Sequence, residues 1–297
     1  MSAATTTDTA VALEQRKPTR RSWRGPQLGT HLTIVLLILA SLLPVYLMLV
    51  VSFKNPLQYQ HERWIISFPL RLTNYNAAWS LIAIYIWNTL WVAVVGFLGM
   101  LILSIIGGYV FARMEFPFRE TLYLLIIALL TVPWVISFIP SYMLYNSFKM
   151  INTPWALIIP NIAGGPVFGI FLLRSFFAGI PQEIYDSARI DGAGHWTLIW
   201  RITLPLSLPI LATLAVLNFV STWNSFLWPL VAVSDRQYQQ ISVGLFLLSK
   251  QISISGDYSV WGPLFAGYTI ASLPLVILFF LLGKFYVEGL MESGLKV

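Results

Sequence analysis

The sequence predicts an all-helical integral membrane protein with six transmembrane helices. Of its 297 residues, 57% are hydrophobic and only 10% are Asp, Glu, Lys or Arg, with a mean hydropathy of +0.75. Each predicted helix is a run without those charged residues, long enough to cross a hydrocarbon core of about 30 Å, which takes roughly 20 residues. The six runs are Leu32–Phe53, Ile82–Val110, Leu122–Phe148, Ile151–Leu173, Ile202–Ser234 and Tyr258–Gly283.

The first run follows a tail, residues 1–30, that is rich in Ala, Thr and Arg and nearly lacks large apolar side chains. Such a composition buries too little surface to fold, so we expect a disordered cytoplasmic tail followed by one membrane domain, residues 31–297. The run itself is predicted to be a permanent anchor. It is too long for a cleaved signal peptide and no small-residue cleavage site follows it.

The distribution of basic residues orients the six predicted helices. Six spans put both chain ends on one side of the membrane, and that side receives 12 Lys and Arg residues against 6 on the other. Cytoplasmic loops carry such an excess, so both termini are predicted to be cytoplasmic. The basic group at positions 16–24 is expected near membrane lipid. Nucleic acid is not an expected partner, because the basic residues form no stripe with interleaved aromatics.

Several function classes are disfavoured by residues that are missing. The chain has no cysteine, and its three histidines are not paired at a metal-ligand spacing, so we expect no metal site. We find no Ser/His/Asp set, metal cluster or paired acids in a plausible pocket, which disfavours a membrane enzyme or assembly factor. A charge in the middle of a span costs about 2.5–3.5 kcal/mol and usually marks ion coupling. No run contains one, which argues against an ion-coupled secondary transporter, although broken helices would suit that alternative.

Prolines and glycines interrupt the later runs. Because these residues free backbone groups inside the membrane, we expect kinks that either shape a cavity or serve helix packing. The positions are Pro133, Pro140, Pro160, 163–166, Pro205 and Pro209. Between the runs, Lys54–Leu81 and Asp235–Asp257 are predicted to be outer loops, the first with turns and one short helix.

The segment between the fourth and fifth runs concentrates charge, with three acids and three bases between positions 174 and 201. Its central part is "PQEIYDSARIDGAGHWTLIWRITLP". Pro181 suits the first turn of a helix, where a missing N–H costs nothing. Glu183 and Asp186 favour the positive end of the helix dipole, and Arg189 shares a face with Asp186.

A turn at Asp191 and Gly192 divides this segment into two short helices, the second predicted from His195 to Arg201. The first helix has an apolar face made of Ile184, Tyr185 and Ala188. A helix lying on lipid is usually rich in Lys and Arg on its polar face, and this one is not. The residues therefore favour a docking element for a cytoplasmic partner, with the lipid-surface helix as the alternative.

The spacing of the segment resembles the EAA loop of inner-membrane permeases in binding-protein-dependent ABC importers. That motif is E-A-A, three residues, G, nine residues, I-x-L-P. Here 186–188 read D-S-A, Gly192 follows, and 202–205 read I-T-L-P, so Asp replaces Glu and Ser replaces Ala. "GYVFARMEFPFR", "ARIDGA", "WNSFLWPL" and "FYVEGLMESGLK" are similar to carbohydrate-type permeases over residues 30–297. The chain looks like the second subunit of maltose-type and glycerol-3-phosphate-type importers.

This resemblance implies an ABC importer permease fold with a cytoplasmic coupling helix, in a bacterial or archaeal plasma membrane. The coupling loop, about 174–204, would dock an ATPase through Glu183, Asp186, Ser187, Ala188, Arg189, Asp191, Gly192 and Ala193. The implied partners are a second permease, two ATP-binding subunits and an extracytoplasmic solute-binding protein. ATP and Mg would bind the partner ATPase, since this chain has no G-x-x-x-x-G-K-[ST] phosphate loop.

Carbohydrate is the first substrate class that the resemblance implies, and a glycerol-3-phosphate-type or other small solute is the alternative. Aromatic faces and amides suit sugars, since a few polar groups can orient a ligand in an apolar site. The candidate path residues are Asn88, Asn161, Asn218, Trp223 and Asn224. Each could instead bond one helix to another. An uninterrupted helix from Pro205 would put Trp223 about 27 Å further along, towards the outer half of the membrane.

Overall fold

Helices are the only regular secondary structure in residues 27–255 and 258–294, the part of the chain that this computed structural model describes. The first helix begins at Gln27, so the predicted disordered tail was wrong for residues 27–30. The remainder of that tail, with the basic group at positions 16–24, lies outside the described residues. The chain divides into two units after Leu47, within the first helix.

Thirteen α-helices are numbered along the described residues, and short 3-10 or π-helical turns join some of them. They are α1 Gln27–Ser52, α2 Pro56–His61, α3 Thr73–Arg113, α4 Arg119–Ala128, α5 Trp134–Ser147, α6 Trp155–Ala178, α7 Gln182–Ile190, α8 His195–Thr197, α9 Leu204–Leu206, α10 Leu208–Asn224, α11 Leu227–Ala232, α12 Ile241–Ser255 and α13 Trp261–Gly294.

The described residues contain four helices long and apolar enough to cross a membrane, and two bent pairs that raise the number to as many as six if each pair is one span. The third predicted run is broken by a 95° bend between Thr131 and Trp134, and Pro133 lies at the break. The fifth run is broken by a 78° bend at Ser207, between Pro205 and Pro209. Proline therefore produced two of the expected kinks, because it cannot donate the N–H that continues a helix.

Trp223 does not lie on an uninterrupted helix from Pro205, because the bend at Ser207 starts a new helix at Leu208. In contrast, α6 continues through Pro160 and Pro166, and α5 continues through Pro140. Pro within a membrane helix is tolerated where neighbours satisfy the freed backbone groups.

The core of the second unit is the long pair α3 and α6, and small residues let these helices approach closely. A Cβ on Gly99 would lie 2.6 Å from Ile162 Cδ1, and one on Gly107 would lie 2.6 Å from Ile170 Cδ1. Small residues have this use in membrane helix pairs, where tight packing replaces the hydrophobic effect. A buried cluster that includes Tyr109 continues this core into the charged segment.

The two predicted outer loops are more ordered than expected. The first contains α2, and buried Lys54 donates to the Ile65 carbonyl and to Ser67 Oγ, each at 2.7 Å. The second contains α12, which occupies most of it and buries Ile241 against α3, and its position outside the membrane stays a prediction. A run of apolar residues precedes Lys250, but it is too short for a span, and only its neighbours reveal where it packs.

Candidate functional site

The charged segment folds as the predicted helix–turn–helix. Pro181 is the N-cap of α7, one residue before the first turn in which it was predicted. Glu183 lies in the first turn and Arg189 in the last turn, so each charge faces the end of the helix dipole that stabilises it.

Gly192 ends α7 in a left-handed conformation, with φ at +85°. The Gly192 N–H donates to the Arg189 carbonyl at 3.0 Å, and the Ala193 N–H donates to the Ala188 carbonyl at 2.9 Å. These two bonds form a Schellman motif, in which glycine is favoured at the left-handed position. A Cβ at Gly192 would meet nothing within 4 Å, so backbone conformation and not space requires the glycine.

The second helix of the segment begins at His195 as predicted but does not end at Arg201. After α8 the backbone continues as a π-helix, Leu198–Thr203, and then as α9. The Thr203 hydroxyl donates to the Leu198 carbonyl at 3.1 Å inside this π-helix. Such turns are rare and frequently lie at functional sites.

The apolar residues of the segment divide into buried and exposed sets. Of the predicted face, Tyr185 is buried and Ala188 packs partly against the core, whereas Ile184 is exposed. Ile190 is 87% exposed. The exposed set, called here the docking face, is Ile184, Ile190, Trp196 and Trp200.

The acids of the segment all point to solvent. Asp186 Oδ1 accepts a hydrogen bond from Gln182 Nε2 at 2.9 Å and lies 3.9 Å from Arg189 Nη1. Glu183 and Asp191 are also exposed, and the exposed Ser187 hydroxyl donates back to the Glu183 carbonyl at 2.8 Å. The predicted coupling residues therefore lie together on α7 and the turn that follows it, with their three carboxylates exposed to solvent.

Two residues near the end of α3 that contact this segment, Tyr109 and Arg113, were missed by sequence reasoning. Arg113 ends α3, and its guanidinium carbon lies 4.2 Å from the ring centroid of Tyr185. Its only sequence signal was a position at the end of the second apolar run. Nothing local indicated that it contacts a segment about 70 residues later.

Asn161 and Asn218, two of the candidate path residues, bond to each other. Asn218 Nδ2 donates to Asn161 Oδ1 at 3.0 Å, and Asn161 Nδ2 donates to Thr222 Oγ1 at 3.2 Å. Asn88 Nδ2 donates to the carbonyls of Gln237 and Gln239. These contacts favour the alternative of helix and loop bonding for all three asparagines.

The other two candidates differ sharply in exposure. Trp223 is buried, stacks on Phe219 at 5.3 Å between ring centroids, and donates its indole N–H to the Ala271 carbonyl at 3.2 Å. This environment favours packing for Trp223. Asn224 is exposed and donates to the Val220 carbonyl at 2.9 Å, so a path role for Asn224 stays a prediction.

A cavity of about 570 Å³ lies beside the bend at Pro133, where α5 and α6 face α11. Ser137 and Ser141 supply hydroxyls, and none of the described residues that line the cavity is charged. The aromatic lining residues are Trp134, Phe138, Tyr145 and Trp228. Trp228 contacts Phe138 and Tyr145 edge to face, at 5.5 and 5.6 Å between ring centroids. The size is typical of a small-molecule site, and sequence analysis missed these residues.

Residues 104–290, which include the entire charged segment, match the family described as binding-protein-dependent transport system inner membrane component. The chain belongs to this family. This confirms the predicted resemblance to ABC importer permeases, the inner-membrane location and the role of a transport subunit rather than an enzyme.

Three relatives of this inner-membrane component are similar over most of their length. The arabinooligosaccharides transport system permease protein AraQ of Halalkalibacterium halodurans is 32% identical over 70% of this chain and 72% of its own. The diacetylchitobiose uptake system permease protein NgcG of Streptomyces coelicolor is 29% identical over 84% of this chain and 82% of its own. The sn-glycerol-3-phosphate transport system permease protein UgpE of Yersinia pestis is 28% identical over 91% of this chain and 98% of its own.

Two solved structures share the fold of this inner-membrane component. A bacterial ABC transporter involved in the import of the acidic polysaccharide alginate matches 89% of this chain and 98% of its own, with a TM-score of 0.77 and 21% identity. The bacterial alginate ABC transporter in complex with an alginate pentasaccharide-bound periplasmic protein matches 88% of this chain and 95% of its own, with a TM-score of 0.58 and 18% identity. The predicted permease fold is therefore confirmed.

Proposed function

We propose that this chain forms half of the membrane pore of an ATP-driven importer of neutral carbohydrates. The observation that carries this proposal is the cavity at the broken third span, which combines aromatic rings with the hydroxyls of Ser137 and Ser141. A sugar has apolar ring faces and many hydroxyls. Aromatic side chains can pack against the ring faces, and serine hydroxyls can form hydrogen bonds with the sugar hydroxyls. Discontinuous helices commonly build the solute sites of transporters.

The uncharged lining of the cavity favours a carbohydrate over the alternative substrate, glycerol 3-phosphate. A phosphate is normally held by Arg or Lys through charge-assisted hydrogen bonds, and the described lining offers neither. AraQ and NgcG are named for oligosaccharides, whereas UgpE is named for glycerol 3-phosphate. Relatives alone thus leave both classes open, and the uncharged lining favours the sugar.

The segment Pro181–Pro205 is proposed to couple ATP hydrolysis to transport by docking an ATPase. Its acids are exposed and the docking face presents apolar side chains beside them, a combination suited to a protein interface with an apolar centre and a polar rim. ATP and Mg are proposed to bind two separate ATP-binding subunits, because this chain lacks a phosphate loop.

A second permease and an extracytoplasmic solute receptor complete the proposed assembly. Both termini and residues 174–204 are proposed to be cytoplasmic, supported by the 12-to-6 asymmetry of basic residues. The receptor would then meet the opposite face, which includes α2 and the turn around residues 62–72.

Uptake by the complex purified with the tagged chain tests this function. Proteoliposomes with internal ATP and added receptor would be assayed with radiolabelled arabinobiose, diacetylchitobiose and glycerol 3-phosphate. We expect ATP-dependent uptake of a sugar. Uptake of glycerol 3-phosphate alone would overturn the carbohydrate assignment, and transport by the isolated chain would overturn the multi-subunit assembly.

A further inference from the structure

The end of α3 touches both helices of the coupling segment. Tyr109 and Arg113 are four residues apart and therefore lie on one face of α3, one turn from each other. The Tyr109 hydroxyl and His195 Nδ1 share a hydrogen bond of 3.0 Å at the start of α8. Arg113 Nη1 donates to Gln182 Oε1 at 2.9 Å at the start of α7.

Arg113 also joins the end of α6 to this contact. Its Nη2 donates to the carbonyl of Phe177 in the last turn of α6 and to that of Ile180 just after this helix. Its guanidinium carbon lies over the Tyr185 ring, 4.2 Å from the ring centroid, as in a cation–π pair. One guanidinium thus holds α3, the end of α6 and α7 together.

Tyr185 carries the connection on to the fifth span. It is 1% exposed, and its hydroxyl shares a hydrogen bond of 2.9 Å with Thr203 Oγ1 in the π-helix. Ser207, at the 78° bend, donates its hydroxyl to the Thr203 carbonyl at 2.6 Å. The chain of contacts therefore runs from α3 through α7 to the bend that starts α10.

We propose that Arg113 and Tyr109 are positioning residues that make α3 move as one body with the coupling segment. They would transmit the displacement of α7 and α8 to the longest helix of the core rather than only to the two spans that flank the segment in sequence. This inference rests on the proposed coupling function. The geometry requires arginine at position 113, because a lysine ammonium cannot bond two carbonyls and an amide through a planar fork while stacking on a ring.

Coupling efficiency in the reconstituted complex tests the role of the guanidinium. For Arg113→Lys and Tyr109→Phe we expect sugar uptake per ATP hydrolysed to fall about 5- to 150-fold, the usual size of coupling between sites. Bound ATPase and receptor affinity should stay at wild-type values. Arg119→Lys and Tyr123→Phe are matched controls at the same membrane face and should couple normally. Normal coupling in both test variants would overturn the inference.

A distance measurement keeps the proposal testable if a variant fails to assemble. Spin labels on cysteines replacing Leu103 of α3 and Thr197 of α8, both exposed, report whether the two helices move together. In the complex with native Tyr109 and Arg113 we expect one narrow distance, equal in the nucleotide-free and ATP-analogue-bound states. A distance that changes between these states would overturn the proposal. Absence of any ATP-driven uptake by the wild type would instead count against the proposed function itself.

Discussion

Asn218 donates its side-chain amide to Asn161 Oδ1 at 3.0 Å, and this bond joins α10 to α6 among apolar side chains. Asn161 Nδ2 also donates to Thr222 Oγ1, and Asn218 Nδ2 also donates to Met100 Sδ at 3.3 Å. The bond between the two amides joins two helices and so favours a packing role, while Asn218 Oδ1 is buried and accepts no hydrogen bond from the described residues. Their bond is the kind of interhelical contact that contributes about 0.6 kcal/mol in membrane proteins.

Asn161→Ala should therefore destabilise the complex without changing solute recognition. It removes the oxygen that accepts from the Asn218 amide and leaves only the weaker Met100 Sδ contact, and such a loss costs about 1–3 kcal/mol where the group is buried. We expect a lower thermal midpoint in detergent and an unchanged KM for sugar. Ser175→Ala on the same helix is the control, because the exposed Ser175 hydroxyl donates to a carbonyl of its own helix, that of Phe171. A raised KM in Asn161→Ala at normal stability would support the path role instead.

The cavity at the broken third span yields a prediction about affinity. Trp134→Ala and Ser141→Ala should each raise the KM for sugar, because the first removes a ring face and the second a hydroxyl from the lining. We expect about tenfold for the tryptophan, in line with its loss of packing area. Trp87→Ala, at an exposed tryptophan of α3, should transport normally. Uptake kinetics with unchanged KM in both cavity variants would show that the cavity is not the solute route.

Gly192→Val should uncouple ATP hydrolysis from transport. Valine at a φ of +85° strains the turn that ends α7, because left-handed backbone costs an L-residue about 1–2 kcal/mol. Gly194→Val is a matched control two residues later, since Gly194 has φ of −79° and open space around it. Receptor-stimulated ATPase activity and uptake would be measured together. Equal coupling in the two variants would contradict the requirement for this turn.

Charge reversal at Asp186 tests docking. Asp186→Lys removes the bonds to Gln182 and Arg189, which are exposed and worth less than about 1 kcal/mol, so the chain should insert normally. A docking contact that becomes buried with a partner costs far more to break, about 2–5 kcal/mol, and we expect less ATPase to copurify. Glu115→Lys reverses another exposed acid, between α3 and α4, and should bind the ATPase normally. Full ATPase recovery with Asp186→Lys would favour the lipid-surface alternative.

Single-cysteine labelling can determine the orientation, because the chain has no native cysteine. A membrane-impermeant thiol reagent should label Leu57→Cys in intact cells and should label Thr197→Cys only after permeabilisation. Both positions are exposed in the structure. External labelling of the Thr197 cysteine would reverse the proposed topology.

The membrane class, the approximate spans and the turn at Gly192 followed from sequence because each depends on local pattern. A run of uncharged residues is sufficient for a span, since the bilayer sets the required length. The spacing from Asp186 to Pro205 was similarly sufficient to show the family resemblance. Gly192 was interpretable alone because a left-handed turn favours glycine whatever surrounds it.

Roles that depend on a distant partner were decided only by the tertiary structure. An asparagine or tryptophan in an apolar run can line a path or bond a neighbour, and only the neighbouring helix determines which. Asn161 and Asn218 are bonding partners, Trp223 is buried, and an aromatic cavity lies instead at the break near Pro133. From the sequence, Arg113 could be identified only as a basic residue at the end of a span, because its partners lie more than 60 residues further along the chain.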